Sequence, residues 1–179
     1  MVGDSLSAAY GISQNAGWVN LLSERLKNSN YRITNASVSG ETSQGGEQRL
    51  AALLTREQPH IVIIELGAND GLRGIDPSET QTHLGHMIEM CQKAHARILL
   101  IGIDLPANYG NEYRQSFRGT YTALKNKYRL PLLDNLLKAV PLREDNFQSD
   151  HLHPIAEVQP LIETSVYATL KPLLASNSP

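Results

Sequence analysis

Four short stretches of the chain carry residue types from which a serine-centred reaction can be assembled. The first is Gly3-Asp4-Ser5-Leu6-Ser7. By composition it is a turn, with Asp4 and Ser5 bonding to nearby backbone amides. The functional alternative places Ser5 at a strand end, its hydroxyl ready to attack a carbonyl once a base removes the proton. The second stretch, Asn35-Ala36-Ser37-Val38-Ser39-Gly40-Glu41-Thr42, contains Gly40. That glycine is either a turn residue or a position where a missing Cβ lets a backbone N–H approach developing negative charge. In the third, Glu65-Leu66-Gly67-Ala68-Asn69-Asp70-Gly71, loop capping competes with a role for the Asn69 amide as a neutral N–H donor. Ionised Asp70 accepts only and cannot serve that purpose. The fourth is Asp150-His151-Leu152-His153-Pro154. Residues i and i+3 meet across a turn, so Asp150 can hold one imidazole nitrogen of His153 while the other faces outward, which makes a general base fixed in one tautomer. Pro154 favours extended backbone at His153 and starts a helix directly after it. A capping Asp beside a surface His, or metal ligation through His151 and His153, are the alternatives.

For these stretches to meet, the elements between them must form a suitable frame. Short aliphatic runs alternate with longer segments of helical period, the pattern of a parallel sheet covered on both faces. Strands are expected over residues 31–36, 60–66, 97–103 and 131–133. Trp18, Leu21, Leu22 and Leu26 recur at helical spacing, as do Leu50, Leu53 and Leu54. Asp76, Pro77 and Glu79 fit N-cap, N1 and N3 of a helix running toward Ala94. His83 and His86 lie on it and read as two partly exposed helix histidines rather than a metal pair. Further helices are expected over 113–128 and 154–170, the latter kinked or split by Pro160, and residues 176–179 read as a frayed tail. A first strand must precede Ser5, yet only Met1 and Val2 stand before Gly3, so either that strand is clipped or the start is misplaced. Ser5, Gly40 and Asn69 then each follow a strand. In open parallel sheets ligands bind beyond the carboxyl ends of the strands, where the strand order reverses. With the order 2-1-3-4-5 the first three strands are neighbours and Ser5 lies between two N–H donors, while Asp150 and His153 arrive on a late loop.

Composition narrows the alternatives. A chain of 179 residues with 41% hydrophobic and 19% charged residues fits one globular domain, residues 1–179, with a packed core. Sixteen Lys plus Arg against eighteen Asp plus Glu, with no basic block, argue against a nucleic-acid partner. Cys91 is the single cysteine, which excludes an intrachain disulfide, a thiolate zinc cluster and a C-x-x-C redox pair. The longest aliphatic runs, 61–64 and 98–101, are four residues against the roughly 20 needed to span a bilayer. The sequence as written opens with no export leader. Aromatic residues at 6% argue against a stacking-lined sugar or nucleobase site.

Taken in order, the four stretches resemble the SGNH, or GDSL, hydrolase family, most closely its small bacterial esterase branch of thioesterase I and lysophospholipase type, nearly end to end. In Gly3-Asp4-Ser5-Leu6-Ser7 the serine resembles the family nucleophile. Gly40 in Ser-Gly-Glu-Thr-Ser and Asn69 in Gly-Ala-Asn-Asp-Gly-Leu-Arg-Gly resemble the oxyanion donors, together with the N–H of Ser5, and Asp150 with His153 fits Asp-x-x-His-Pro. The resemblance implies a three-layer α/β/α fold with a flavodoxin-like parallel sheet of about five strands and no metal or organic cofactor. It also implies hydrolysis of small-molecule esters, and often of thioesters or lysophospholipids, through an acyl-serine. Residues 71–75 are expected to form a mobile loop and 105–110 to line an acyl groove, which makes Leu72, Leu105, Pro106 and Tyr109 the expected substrate-contacting side chains. A periplasmic or secreted address is implied where a leader precedes the chain. Two competing functions are a catalytically silent flavodoxin-like acyl- or lipid-binding module, and a metal-dependent phosphoesterase using Asp4, Asn69, Asp70, His151 and His153.

Overall fold

A computed structural model describes residues 1–175; the tail at 176–179 lies outside the described residues. The aliphatic runs form the centre of a parallel sheet, β2 (Ile61–Glu65) and β3 (Arg97–Ile101), paired in register from Ile61 opposite Arg97 to Glu65 opposite Ile101. Four of the five residues in each are buried, because helices cover both faces and leave no side for polar alternation. Outside them lie β1 (Val2–Gly3), paired with Ile64 and Glu65, and β4 (Leu132–Leu133), paired with Leu100 and Ile101. The sheet order is β1-β2-β3-β4.

The expected strand at 31–36 is not formed, so the sheet has four strands rather than about five. Its segment nevertheless runs beside β1: the N–H of Ala36 donates to Met1 O at 2.9 Å and that of Val38 to Gly3 O at 3.0 Å. β1 has two residues to pair with, too few to build a continued ladder against it. The segment thus occupies the flank expected of it, and the spatial order of the 2-1-3-4-5 arrangement is kept.

Six α-helices complete the frame: α1 (Trp18–Leu26), α2 (Ser43–Glu57), α3 (Ala68–Leu72), α4 (Pro77–Lys93), α5 (Asn111–Tyr128) and α6 (Gln159–Ala175). α1 packs on α6, α4 packs between α2 and α5, and β3 touches helices of both groups. Trp18, Leu22 and Leu26 bury the inward stripe of α1, as their spacing predicts. Asp76 caps α4, its Oδ1 accepting from the Ser78 N–H at 2.8 Å, with Pro77 in the first turn. Pro160 does not kink a helix running from 154. A 3₁₀ turn at Ala156–Val158 comes first, and α6 then starts at Gln159 with Pro160 in its first turn, where its missing N–H costs no helical bond. Cys91 is buried, and burial pushes its thiol up to about 12, so it is no competing nucleophile. Among the described residues no helix is long and apolar enough to cross a membrane.

Candidate active site

The chain leaves β1 through a tight turn that places Ser5, partly buried, just beyond the carboxyl end of that strand. Asp4 O accepts from the N–H groups of Ser7 at 3.2 Å and Ala8 at 3.0 Å, and Asp4 Oδ1 accepts from the Leu6 N–H at 3.0 Å. Two distant side chains pin the turn: the Trp18 indole donates to Leu6 O at 3.1 Å and the Asn35 amide to Ser7 O at 2.8 Å. Gly3 is required beneath it, since a Cβ there would stand 2.8 Å from Glu65 Oε2.

Ser5 Oγ lies 2.7 Å from His153 Nε2, and His153 Nδ1 lies 2.6 Å from Asp150 Oδ2. The loop carrying the second pair is closed by an antiparallel bridge between Phe147 and Pro154, with the Gln148 N–H donating to His153 O at 2.8 Å. The N–H groups of Leu152 (2.9 Å) and His153 (3.0 Å) donate to Asp150 Oδ1. Partial burial raises the Asp150 carboxyl, but those two N–H groups and the imidazole outweigh it and hold the group down at about 2. Asp150 is therefore ionised at any pH where the imidazole can act as a base. Its Oδ2 accepts from Nδ1–H, which leaves Nε2 to accept from the Ser5 hydroxyl.

Gly40 sits at φ +80°, a conformation that a side chain would strain even though the space around it is open. The Arg73 guanidinium donates to Gly40 O at 2.9 Å and fixes that peptide. None of the described residues accepts from the N–H of Ser5 or of Gly40. Asn69, on α3, donates from Nδ2 to Glu41 O at 3.1 Å and Asp4 Oδ2 at 3.3 Å, so its amide nitrogen is directed to the cleft between the two loops that carry Ser5 and Gly40. Asp70 faces the other way. It is buried, accepts from the Ser43 N–H at 2.9 Å and from the Ser43 and Thr80 hydroxyls, and so locks the start of α2 to α3 and α4.

The residues expected at the acyl groove are joined to this frame. Tyr109 donates to Leu72 O at 2.9 Å and Tyr113 to Ile75 O at 2.7 Å, so two phenols bond to the backbone of the 71–75 turn. Pro106 and Tyr109 are half-buried, whereas Leu105 is buried against Gly71 and supports the turn from below. A cavity of about 340 Å³ lies elsewhere, lined by Tyr31, Ile33, Leu53 and Ile61 among others and by none of the site residues. Of the set named for metal chemistry, Asp4, Asp70, His151 and His153 supply no three ligand atoms within 4.8 Å of one another among the described residues. Nor is Ser5 misplaced by the short β1, as a silent binding module would require.

Beneath the nucleophile lies an acidic pair that spacing did not reveal. Glu65 is buried at the end of β2, its Oε2 accepting from Ser7 Oγ at 2.6 Å, and Asp4 is buried beside it. Burial first, and the neighbouring Asp4 charge second, push the Glu65 carboxyl well above the ordinary range, while burial raises Asp4 to about 6 against the bonds it accepts. Both groups keep a proton in the folded state that the unfolded chain releases near pH 4 to 4.5. From there up to the folded-state values, about 6 for Asp4 and higher for Glu65, the folded state binds more protons than the unfolded chain, and stability falls as pH rises, by up to about 1.4 kcal/mol per pH unit for each retained proton. Glu65→Gln keeps an acceptor for Ser7 and cannot ionise. It is expected to flatten the decline of Tm between pH 5 and pH 8 and to be the more stable form at pH 8; parallel Tm curves for the two proteins would contradict the assignment.

Tyr10 is the other residue that the sequence did not disclose. Its ring lies 4.6 Å from the His153 imidazole, and Gln148 Nε2 donates to Tyr10 O at 2.8 Å, tying the nucleophile's loop to the base's loop. No local pattern marks either residue, because the contact spans 138 positions.

Residues 1–159 match the GDSL-like lipase/acylhydrolase family. The chain is 44% identical to esterase TesA of Pseudomonas aeruginosa over 97% of its own length and 88% of that protein's. It is 41% identical to thioesterase 1/protease 1/lysophospholipase L1 of Escherichia coli over 99% of this chain and 85% of that one. The structure superposes with a TM-score of 0.92 on the crystal structure of the psychrotrophic esterase EstA from Pseudoalteromonas sp., inhibited by monoethylphosphonate, at 40% identity and covering 97% of this chain and 96% of that one. With residues 1–159 matching its model and relatives 41–44% identical over most of the chain, the chain belongs to the GDSL-like lipase/acylhydrolase family.

Proposed function

We propose that this chain is a serine esterase that hydrolyses acyl esters, with acyl thioesters and lysophospholipids within its substrate class, through an acyl-serine at Ser5. The observation that carries the reading is the unbroken relay from Asp150 Oδ2 to His153 Nδ1 and from His153 Nε2 to Ser5 Oγ, at 2.6 and 2.7 Å. His153 Nε2 takes the Ser5 proton as Oγ attacks the carbonyl, and ionised Asp150 stabilises the imidazolium. The N–H groups of Ser5 and Gly40 receive the oxyanion, joined by the Asn69 amide as it gives up its longer bond, 3.3 Å, to Asp4 Oδ2. The imidazolium then protonates the departing alcohol or thiol. Water, deprotonated by His153, releases the acid and restores Ser5.

An acyl substrate suits the rim of the site. Tyr10, Val38 and Leu152 are three of the five large apolar side chains exposed among the described residues. Tyr10 packs on the His153 ring, Leu152 precedes His153, and Val38 lies two positions before Gly40. Relatives named as esterase, thioesterase and lysophospholipase share attack on one acyl carbonyl with different leaving groups. Leu72, Pro106 and Tyr109 are the side chains to which the acyl chain is assigned, with buried Leu105 backing them.

The test is a panel of p-nitrophenyl esters from acetate to palmitate, with an acyl-CoA and a lysophosphatidylcholine. A burst of p-nitrophenol stoichiometric with protein, then slower turnover, is expected. Binding of these substrates with no turnover of any would return the chain to the silent binding module, and activity abolished by a chelator would return it to metal chemistry.

A further inference from the structure

Away from the serine site, α2 and α4 pack against each other and bring three ligand-bearing side chains together. His83 and His86, one turn apart on α4, both direct Nδ1 toward Glu47 on α2: His83 Nδ1 is 2.5 Å from Oε2 and His86 Nδ1 is 2.9 Å from Oε1. The three ligand atoms lie within 4.8 Å of one another, and among the described residues no other group of His, Cys, Asp and Glu does so. The sequence showed only the histidine pair, which by itself favours no site; the third ligand comes from a helix 36 residues away.

We propose that Glu47, His83 and His86 form a binding site for a single zinc ion. Two imidazoles and one carboxylate are a ligand set of catalytic and exchangeable zinc sites, whereas magnesium and calcium take oxygen ligands. Tetrahedral zinc, with bonds of about 2.0 to 2.2 Å, holds its ligand atoms roughly 3.3 to 3.5 Å apart. The observed contacts are shorter than this because a carboxylate and two imidazoles now bond directly. Side-chain rotations that part them by under about 1 Å would admit the ion, and the helix backbones that carry them need not move. Two nitrogen lone pairs replace the two Nδ1–H bonds to Glu47 as protons leave on binding. His86 is half exposed, which leaves a face for a water as fourth ligand. The site staples α2 to α4 one turn beyond Thr42, which caps α2 next to the Gly40 loop. Zinc therefore braces the helix that carries the oxyanion loop without entering the serine chemistry.

Zinc titration of the metal-free protein in competition with a chromophoric chelator tests the site, using wild type, Glu47→Gln, His86→Gln and the double His83→Gln/His86→Gln. One zinc per chain is expected in wild type, with a rise in Tm of roughly 5 to 10 °C at zinc a hundredfold above Kd. Each variant should weaken binding at least tenfold and remove the rise. Cobalt(II) gives a readout independent of stability: wild type should show the visible absorption of a tetrahedral site and the double variant should not. Because all three side chains are partly exposed, the variants are expected to keep the wild-type circular dichroism. Absence of stoichiometric zinc in wild type, or binding and cobalt absorption unchanged in the double variant, overturns the proposal; the latter would place the ion on another histidine such as His153. Neither result bears on ester hydrolysis by Ser5, which none of these substitutions touches.

Discussion

Ser5→Ala is expected to lower kcat/KM for a p-nitrophenyl ester by on the order of 10⁴- to 10⁶-fold, the scale of losing a nucleophile from a relay of this type. The same variant should take up no covalent label from a p-nitrophenyl phosphonate, whereas wild type should gain one adduct, located by peptide mass at Ser5. The fold should survive. Ser5 contributes one hydroxyl contact at 2.7 Å at a partly exposed site, and its loss costs about 1 kcal/mol or less. The turn around it is held by Asp4, Trp18 and Asn35, none of which depends on the hydroxyl. Retained burst kinetics in Ser5→Ala, or labelling at another residue in wild type, would overturn the assignment.

Asp150→Asn is expected to cost on the order of 10³ to 10⁴ in kcat with KM little changed. Asparagine can keep the acceptor at Oδ1, so the N–H groups of Leu152 and His153 remain bonded and the loop keeps its shape. At the other position a donor replaces the carboxylate oxygen that lies 2.6 Å from His153 Nδ1. The imidazole then carries its proton on Nε2, where it faces Ser5 Oγ donor to donor and cannot accept the serine proton. The measurement is kcat beside the proton spectrum of the imidazole, in which the Nδ1–H resonance of wild type should vanish in the variant. Full activity in Asp150→Asn would mean that tautomer control lies elsewhere.

The parts of the fold and site that could be read in the sequence are those whose cause is local. β2 and β3 declare themselves because burial on both faces demands unbroken aliphatic runs, and α4 because Asp76 and Pro77 start it chemically. Asp150 and His153 could be paired because they are three residues apart. Ser5, Gly40 and Asn69 were legible only jointly, each alone being ordinary turn chemistry. What stayed hidden depends on partners far along the chain. Residues 31–36 have the apolar content of a strand, but their pairing is limited by the length of β1, which no propensity within the segment encodes. Glu65 looks like any acid at the head of a loop until burial beside Asp4 gives it a proton. Tyr10 and Glu47 meet His153 and the α4 histidines only once distant elements have packed. Pro160 announced an interruption correctly, yet whether that interruption falls within a helix or marks its start depends on the Ala156–Val158 turn ahead of it.

The alcohol of Ser5 and the imidazole it meets are separated by 148 positions. During synthesis from the amino end, Ser5 emerges 148 residues ahead of His153, which follows after all four strands and five of the six described helices have been made. A nascent chain therefore carries an inert hydroxyl, no more reactive toward acyl groups than any surface serine, until the closing stretch docks. Hydrolytic competence is consequently a report on completed folding: a truncated or half-collapsed polypeptide cannot cleave the lipids and thioesters it meets on its way to the native state.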